Sequence, residues 1–402
     1  MDTNSESAET GLPLAGITVV SLEHAVAAPI ASRHLADLGA RVIKVERIGE
    51  GDFARNYDTA VYGLASHFVW LNRGKESICV DLKASEGLAA VKALVAEADV
   101  FIQNSAPGAA ERLGLGADDL RADHPELVAV NMSGYGTSGP FVDRKAYDML
   151  VQAETGLISI TGTPETATKT GIPTSDIAAG MYALTAIQAA LFRRERTGVG
   201  AVVDIAMFDA TVEWLGHPMY MQMYQDVQIK RMGLSHASIA PYDAYPTRDG
   251  QILIGVQNDR GWRTLVTEVF ERPDLADHPR FATNVLRVVN RAEVDRLVGE
   301  LTSTFATGEL DDRLAKAGVP AAQLGNMNDL ITHPQLEARD RWREVQTEAG
   351  PIRAVLPPMT FRDVEMRMGP VPALGEQTDV VLAELGLTAE QVAGLRTAGI
   401  VQ

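Results

Sequence analysis

The chain has 402 residues, of which 46% are hydrophobic and 22% are charged. This composition excludes a mainly disordered chain and predicts two or three domain-sized units. The 36 Lys and Arg residues against 53 Asp and Glu residues leave a net charge of −17, so we expect neither nucleic acid nor a membrane as a partner. Any anionic ligand must then meet a local cluster of Arg and Lys.

The first half of the chain alternates strand and helix patterns. Strands are predicted at 17–22, 41–46, 78–82, 99–103, 127–131 and 202–207, and helices at 29–38, 85–96 and 174–196. Strands separated by helices of about 10–15 residues are typical of a parallel sheet with helices on both faces. The fold class predicted from the pattern is therefore α/β.

The second half has a different pattern. A run rich in Met and Tyr predicts one long helix over 209–225. Strand-like pieces flank Asp249-Gly250, which is a hairpin signal, and helical segments follow it. This region is interpreted as a smaller α+β domain, and 375–402 as two short helices.

Composition and spacing disfavour several kinds of site. Cys79 is the single cysteine, which excludes an intrachain disulfide, and the eight His residues are never closer than ten apart, so we expect no metal. No apolar run is expected to reach the roughly 18 residues of a membrane span. The first eleven residues are polar and lack the apolar segment of a signal peptide, so we expect a cytoplasmic protein.

Two nucleotide-binding motifs fail on inspection. Gly74-Lys75 is followed by Glu76 where a Walker A motif requires Ser or Thr. The glycines of 134–139 fit G-x-G-x-x-G, but Pro140 follows where a helix must begin. A nicotinamide-dependent oxidoreductase would depend on this glycine segment alone, and a tight turn is the simpler interpretation.

Seven segments, in order, resemble the class III CoA-transferases, the group of formyl-CoA, carnitine and citramalate CoA-transferases. They lie at 12–46, 71–83, 98–115, 132–140, 146–156, 170–210 and 374–387. The resemblance implies an interlocked homodimer in which each chain has a large Rossmann-like domain and a small domain. It implies a large domain from 12–208 and 346–402, a small domain at 240–320, and linkers at 209–239 and 321–345.

The resemblance implies that coenzyme A moves from an acyl-CoA thioester to a free carboxylate through an enzyme anhydride and an enzyme–CoA thioester. The catalytic aspartate of the family falls on Asp176. Pro173 disfavours helix before it and Thr174 or Ser175 is a natural N-cap, so we expect Asp176 in the first turn of a helix, where the helix dipole keeps it ionised.

The resemblance also implies the CoA-binding residues. They follow strands or precede helices, where an open α/β sheet binds ligands. They are Val26, Ala27, Arg47, Val80, Asp81, Leu82, Lys83, Asn104, Ser105, Ala106, Arg112, Arg144, Lys145, Ala146, Tyr147 and Asp148.

Two other functions are possible on this scaffold. The α-methylacyl-CoA racemases use a His-Asp pair where this chain has Tyr147-Asp148, and a tyrosine of pKa about 10 is a poor base at neutral pH. A non-catalytic acyl-CoA-binding protein would lack the nucleophile, and Asp176 is present. A transferase is therefore favoured.

The runs at 213–220 and 255–262 resemble the branch of this family that uses C4–C5 dicarboxylates, such as succinate, mesaconate, citramalate or itaconate. Formyl-type members carry Gln where this chain has Val26, which disfavours oxalate. A second carboxylate needs a cation or a hydrogen-bond donor, and the candidates are His24, Arg55, Tyr57, His67 and His217.

Overall fold

The computed structural model describes residues 11–402. Contacts within the chain divide it into two compact units. Of the described residues, the first unit contains 11–156, 170–217 and 340–402, and the second contains 157–169 and 218–339. The domain boundaries drawn from the sequence stay a prediction.

The first unit contains a six-stranded parallel sheet, which confirms the predicted α/β class. Its strands are β1 (Thr18–Leu22), β2 (Arg41–Glu46), β3 (Lys75–Cys79), β4 (Val100–Gln103), β5 (Val128–Ser133) and β6 (Ala201–Ala206). The strand order is β3-β2-β1-β4-β5-β6, with parallel pairing throughout. In a doubly wound sheet of this order, ligands bind at the carboxyl edge where the order reverses, between β1 and β4.

Helices cover both faces of this sheet. They are α1 (Ala27–Asp37), α2 (Ser66–Asn72), α3 (Ser85–Ala96), α4 (Ala109–Arg112), α5 (Ala117–Asp123), α6 (Asp148–Glu154), α8 (Thr174–Thr197), α9 (Met207–Trp214), α17 (Thr378–Glu384) and α18 (Ala389–Thr397), and a 3-10 turn spans Phe53–Asn56. A short hairpin, β10 (Trp342–Val345) and β11 (Ile352–Val355), belongs to the same unit.

The core of this unit follows from strand alternation, because successive side chains point to opposite faces. Val19 packs in a cluster with α1, α8 and α9, whereas its neighbour Val20 packs with α3, α5 and the C-terminal helices α17 and α18. Both valines are fully buried. Each face of the sheet therefore has its own apolar layer.

The long helix α8 departs from one expectation. It is long and apolar enough to cross a membrane by length and composition, so the prediction that no segment qualifies was wrong. Half of its apolar window is buried, and Ala183, Leu184 and Ile187 lie in the core beside the sheet. The same pattern is typical of a core helix in a protein that crosses no membrane.

The second unit is built on a three-stranded antiparallel sheet in the order β7-β8-β9. Its strands are β7 (Tyr242–Pro246), β8 (Gln251–Gly255) and β9 (Ala321–Gln323), and the Asp249-Gly250 hairpin is present as predicted. Its helices are α7 (Leu157–Ile160), α11 (Asp259–Thr264), α12 (Asn284–Val289), α13 (Arg291–Thr302), α14 (Thr307–Ala317), α15 (Met327–Ile331) and α16 (Pro334–Ala338). The predicted single helix over 209–225 is two helices, α9 and α10 (Gly216–Gln225).

Candidate active site

Asp176 lies in the first turn of α8, as expected, but the cap of that helix is not the expected one. The N-cap position is Pro173, and no side chain of the N-cap residue closes the helix. Asp148 does so from a distance, because its Oδ1 accepts the backbone N–H groups of Ser175 at 2.8 Å and of Asp176 at 3.3 Å. A carboxylate from α6 thus satisfies two of the free donors at the start of α8.

Asp148 is itself held in place. Gln152, which is fully buried, donates from Nε2 to Asp148 Oδ2 at 2.7 Å. The Oε1 atom of the same Gln152 accepts the backbone N–H of Thr170 at 3.1 Å. The chain entering α8 is therefore fixed to α6 on both sides of Pro173.

Burial changes the acid strength of Asp176. Loss of solvent around its carboxyl group, and then the nearby charge of Asp148, raise the pKa of Asp176 to about 7. The sequence predicted a fully ionised side chain at pH 7, stabilised by the helix dipole. Desolvation outweighs the dipole here, so the Asp176 carboxyl group holds its proton to a higher pH than an exposed aspartate does.

The start of α8 packs closely against the start of α1. Ile177 contacts the cluster that contains Val26. At Gly180, one turn beyond Asp176, an added Cβ would lie 2.5 Å from the carbonyl oxygen of Ala27, so only glycine fits. The helix turn that carries Asp176 is therefore packed against the start of α1.

A row of neighbouring rings begins at His24, in the loop after β1. Neighbouring ring centroids are 4.8 Å apart for His24 and Phe53, 5.8 Å for Phe53 and Tyr57, and 5.5 Å for Tyr57 and His67. Trp70 follows His67 at 6.5 Å. Phe53 and Trp70 were not recognised in the sequence, because neither lies in a motif that carries chemistry.

Tyr57 is the residue of this row that interacts electrostatically with Asp176. Burial, and then the charges of Asp52, Asp176 and Tyr147, raise the pKa of Tyr57 to about 12. Its hydroxyl group therefore stays protonated at neutral pH and lies within electrostatic range of the Asp176 carboxylate. A protonated phenol can donate a hydrogen bond to an anionic substrate or intermediate.

The other candidate substrate residues differ in what they offer. Burial lowers the pKa of His24, so its imidazole is neutral at neutral pH. His67 Nδ1 lies 3.8 Å from Asp58 Oδ2. His217 is exposed at the start of α10 and forms no hydrogen bond, ion pair or ring contact with any residue in 11–402. Arg55 is not a free cation, since it pairs with Glu46 at 2.7 Å and stacks on a phenylalanine ring.

The residues predicted to bind CoA converge by topology. Arg47 follows β2, Val80–Lys83 follows β3 and Asn104–Ala106 follows β4, and parallel strands end at one edge of the sheet. Val26 and Ala27 stand at the N-terminus of α1, whose first N–H groups have no intrahelical acceptor. Among the cations predicted to bind CoA, four are exposed and form no ion pair within residues 11–402, namely Arg47, Lys83, Arg112 and Lys145.

The last predicted segment, 144–148, lies before α6. Arg144 pairs with Glu154 at 2.9 Å and stacks over the Phe141 ring. Ala146 approaches Gly134 so closely that a Cβ on Gly134 would lie 2.1 Å from the Ala146 Cβ atom, which explains a glycine in the 134–139 turn. Tyr147 is 64% exposed, whereas the Asp148 side chain caps α8. The CoA-binding role of this segment stays a prediction.

No group of three or more His, Cys, Asp or Glu side chains that could hold a metal ion occurs in the part of the chain described, 11–402.

A doubly wound sheet, a half-buried acid at a helix start and exposed cations after its strands are consistent with an enzyme that handles anionic compounds. Residues 14–378 match CoA-transferase family III, and the chain belongs to that family. It is therefore an acyl-CoA:carboxylate CoA-transferase.

Similar proteins span nearly the whole chain. Human succinyl-CoA:glutarate CoA-transferase is 34% identical over 97% of this chain and 90% of its own length. Succinyl-CoA–D-citramalate CoA-transferase of Chloroflexus aurantiacus is 32% identical over 97% of this chain and 98% of its own. A CAIB/BAIF family protein from Brucella suis, of known crystal structure, superposes with a TM-score of 0.82 at 36% identity, over 93% of this chain and 99% of that one.

Proposed function

We propose that this enzyme moves CoA from an acyl-CoA thioester to a small dicarboxylic acid, with Asp176 as the nucleophile. The observation that carries the proposal is the half-buried Asp176, whose pKa is raised by loss of solvent and which lies in the first turn of α8 within electrostatic range of Tyr57. An anhydride intermediate requires that the carboxylate can reach an acyl group while water is kept away from it.

The reaction is an exchange of acyl bonds. An Asp176 oxygen attacks the thioester carbonyl, the carbon–sulfur bond breaks, and CoA thiolate leaves a mixed anhydride. The thiolate attacks the Asp176 carbonyl carbon and expels the donor acid as its carboxylate. The acceptor carboxylate then attacks the aspartyl-CoA thioester and releases thiolate. That thiolate attacks the acceptor carbonyl, which forms the product and restores the Asp176 carboxylate.

The chain supplies three aids to these steps. The raised pKa makes Asp176 a stronger nucleophile when ionised than an exposed carboxylate. Free N–H groups at the start of α1, where Val26 and Ala27 stand, can donate to the oxyanion that forms at each attack. The protonated hydroxyl group of Tyr57 is a further donor close to Asp176.

CoA binding would use the carboxyl edge of the sheet. The phosphates of CoA need cations, and the exposed Arg47, Lys83, Arg112 and Lys145 are the candidates in this acidic chain. The strand-following segments 80–83 and 104–106 would line the path of the cofactor to Val26 and Asp176.

The dicarboxylate preference is supported by the relatives and by the ring row. The human and Chloroflexus enzymes are named for succinyl-CoA with glutarate and with citramalate. In this chain Tyr57, whose pKa is raised in part by the charge of Asp176, lies beside His67, and His24 lies at the end of the row beyond Phe53. We assign the second substrate carboxylate to Tyr57 and His67.

The test is a transfer assay with substitution of the nucleophile. Succinyl-CoA is incubated with glutarate, citramalate, mesaconate, itaconate or oxalate, and the CoA esters are identified by mass spectrometry. Asp176→Asn should abolish transfer, because an amide cannot form the anhydride. Asp118→Asn, an exposed aspartate in the first turn of α5, is the matched control and should retain activity.

Trapping identifies the intermediate. Hydroxylamine added during turnover should convert Asp176 alone to a hydroxamate. Unchanged transfer by Asp176→Asn, or modification at another residue, would refute the assignment. Deuterium exchange next to the thioester carbonyl without transfer would favour the racemase-type alternative.

We also propose that the enzyme works as an interlocked homodimer. Helix α10 leaves large apolar side chains exposed, with Tyr220 at 60%, Met223 at 63% and Tyr224 at 75%. Such a surface is unusual on a solvated linker and suits burial against a second copy. Light scattering should give a mass of about 86 kDa, twice the 43.2 kDa of the chain. An active monomer at nanomolar concentration would contradict the dimer.

A further inference from the structure

The loop between β1 and α1 holds an unfavourable backbone conformation. Ala25 has a φ of 63°, in the left-handed region that residues with a Cβ avoid. The loop leads directly into Val26 and Ala27, which pack against Ile177 and Gly180 of α8, the helix that carries Asp176.

Asn104 forms hydrogen bonds with the loop from one side. Its Oδ1 atom accepts the backbone N–H of His24 at 3.0 Å, and its Nδ2 atom donates to the backbone carbonyl of His24 at 2.9 Å. A single side chain thus satisfies both backbone groups of the residue before Ala25. Asn104 directly follows β4, so these hydrogen bonds connect the loop to the strand on one side of β1.

Asp52 forms a hydrogen bond with the loop from the other side. Its Oδ1 atom accepts the backbone N–H of Ala25 at 3.1 Å, and its Oδ2 atom accepts a hydrogen bond from Lys44 Nζ at 2.6 Å. Asp52 is 3% exposed and Lys44 is fully buried. Asp52 follows β2, the strand on the opposite side of β1, and Lys44 lies within β2.

We infer that Asn104 and Asp52 are positioning residues that hold Ala25 in the left-handed conformation and so aim the N–H groups at the start of α1 at the thioester carbonyl. The hydrogen bonds from Asn104 and Asp52 together orient the loop relative to the sheet, and α8 is packed against the same loop. Neither side chain needs to touch the reacting atoms. This inference depends on the proposed chemistry at Asp176 and assigns Asn104 a role other than contact with CoA.

The decisive experiment is a rescue. Asn104→Ala removes both hydrogen bonds to His24, and kcat should fall on the order of tenfold to a hundredfold, as misplaced catalytic groups cause. The KM for the CoA donor should stay unchanged. Ala25→Gly in the same chain should recover most of the lost kcat. Glycine adopts this φ without strain and so does not need the hydrogen bonds from Asn104 to hold it there. Ala25→Gly alone should stay within about twofold of the wild-type kcat.

A matched control separates rescue from general loosening. Asn131, within β5, also uses its side chain between neighbouring strands, accepting from Gln103 and donating to Asp204, but does not touch the loop. Asn131→Ala should retain kcat, and Ala25→Gly should not alter it further. Circular dichroism and thermal unfolding of each variant confirm that the fold is retained.

Asp52 gives a second measurement. Asp52→Asn keeps the oxygen that accepts from Ala25, whereas Asp52→Ala does not, and both remove the negative charge beside Lys44. Both variants should unfold at lower temperature, but kcat should fall further in Asp52→Ala. Equal losses of kcat would assign Asp52 a structural role only.

Two outcomes overturn the inference. A raised donor KM with unchanged kcat in Asn104→Ala would make Asn104 a CoA contact. A double variant as slow as Asn104→Ala would mean that strain at Ala25 is irrelevant. The proposed function fails by a different result, namely transfer by Asp176→Asn, so the two failures are distinguishable.

Discussion

Replacing Asp176 with asparagine should remove activity and stabilise the fold, and the gain should depend on pH. The unfolded chain releases the Asp176 proton near pH 3.8, whereas the folded chain retains it until about pH 7. Between these values the folded protein holds a proton that the unfolded chain has lost. The free energy of unfolding of the wild type therefore falls as pH rises through this window. Asparagine carries no charge and does not lose stability this way.

The size of the effect follows from the same shift. Because one pKa unit corresponds to about 1.4 kcal/mol, the advantage of Asp176→Asn in free energy of unfolding should be about 1.5 kcal/mol at pH 5 and about 4 kcal/mol at pH 8. Urea unfolding at equal protein concentration, followed by tryptophan fluorescence and circular dichroism, measures both values.

Asp118→Asn is the control, since this aspartate is exposed and also lies in the first turn of a helix. Its stability relative to the wild type should stay flat over the same pH range. A flat difference for Asp176→Asn as well would mean that the folded protein ionises Asp176 at no cost, and the argument from burial would be wrong.

Three further predictions concern the same site. Arg47→Ala, Lys83→Ala and Arg112→Ala each remove a proposed phosphate contact. Each should raise the KM for the CoA donor, by an amount that corresponds to about 1–3 kcal/mol of lost binding free energy. The KM for the acceptor acid, measured in the same initial-rate experiments, should change less. Asp148→Asn removes the charge that helps to raise the pKa of Asp176, so the acid limb of the pH–rate profile, expected near pH 7, should move to lower pH; an unmoved limb would contradict this. Gly180→Ala places a Cβ 2.5 Å from the Ala27 carbonyl oxygen, and should lower stability by about 1–3 kcal/mol in thermal unfolding as well as slow transfer.

The parallel sheet was predictable because most of its strands are apolar runs buried on both faces. β3 was placed three residues late, at 78–82 instead of Lys75–Cys79. Its first residue, Lys75, is charged but buried, and it donates to Glu23 at 2.7 Å and to Asn72 at 3.0 Å. A strand that begins with a buried ion pair has no apolar signal, because its partner comes from elsewhere in the chain.

The break between α9 and α10 had a local signal that the apolar pattern concealed. Pro218 has no N–H group to donate to the carbonyl of Trp214, four residues earlier, and α9 ends at Trp214. Pro218 then lies in the first turn of α10, where the missing donor costs little. The predicted helix over 209–225 followed the Met and Tyr periodicity and gave this proline too little weight.

The position of Asp176 could be predicted, but its acidity could not. A helix start after a proline, together with the family resemblance, locates the residue in the chain. Its pKa depends on burial and on the charge of Asp148, which lies 28 residues away and caps the same helix. No pattern within either segment indicates that pairing, because it arises only when α6 packs beside α8.

The position and the raised pKa of Asp176 together explain why the chain has, at this position, an acid that destabilises the fold. Burying Asp176 beside Asp148 opposes its ionisation, and a surface position would avoid that penalty. In the proposed reaction, the same burial makes the ionised carboxylate a stronger nucleophile and keeps water from the anhydride. Stability lost at the proposed nucleophile, and at the strained Ala25, is the physical signature expected of a functional site. Asp176→Asn should therefore stabilise the fold and abolish transfer together, whereas Ala25→Gly should relieve strain without loss of transfer.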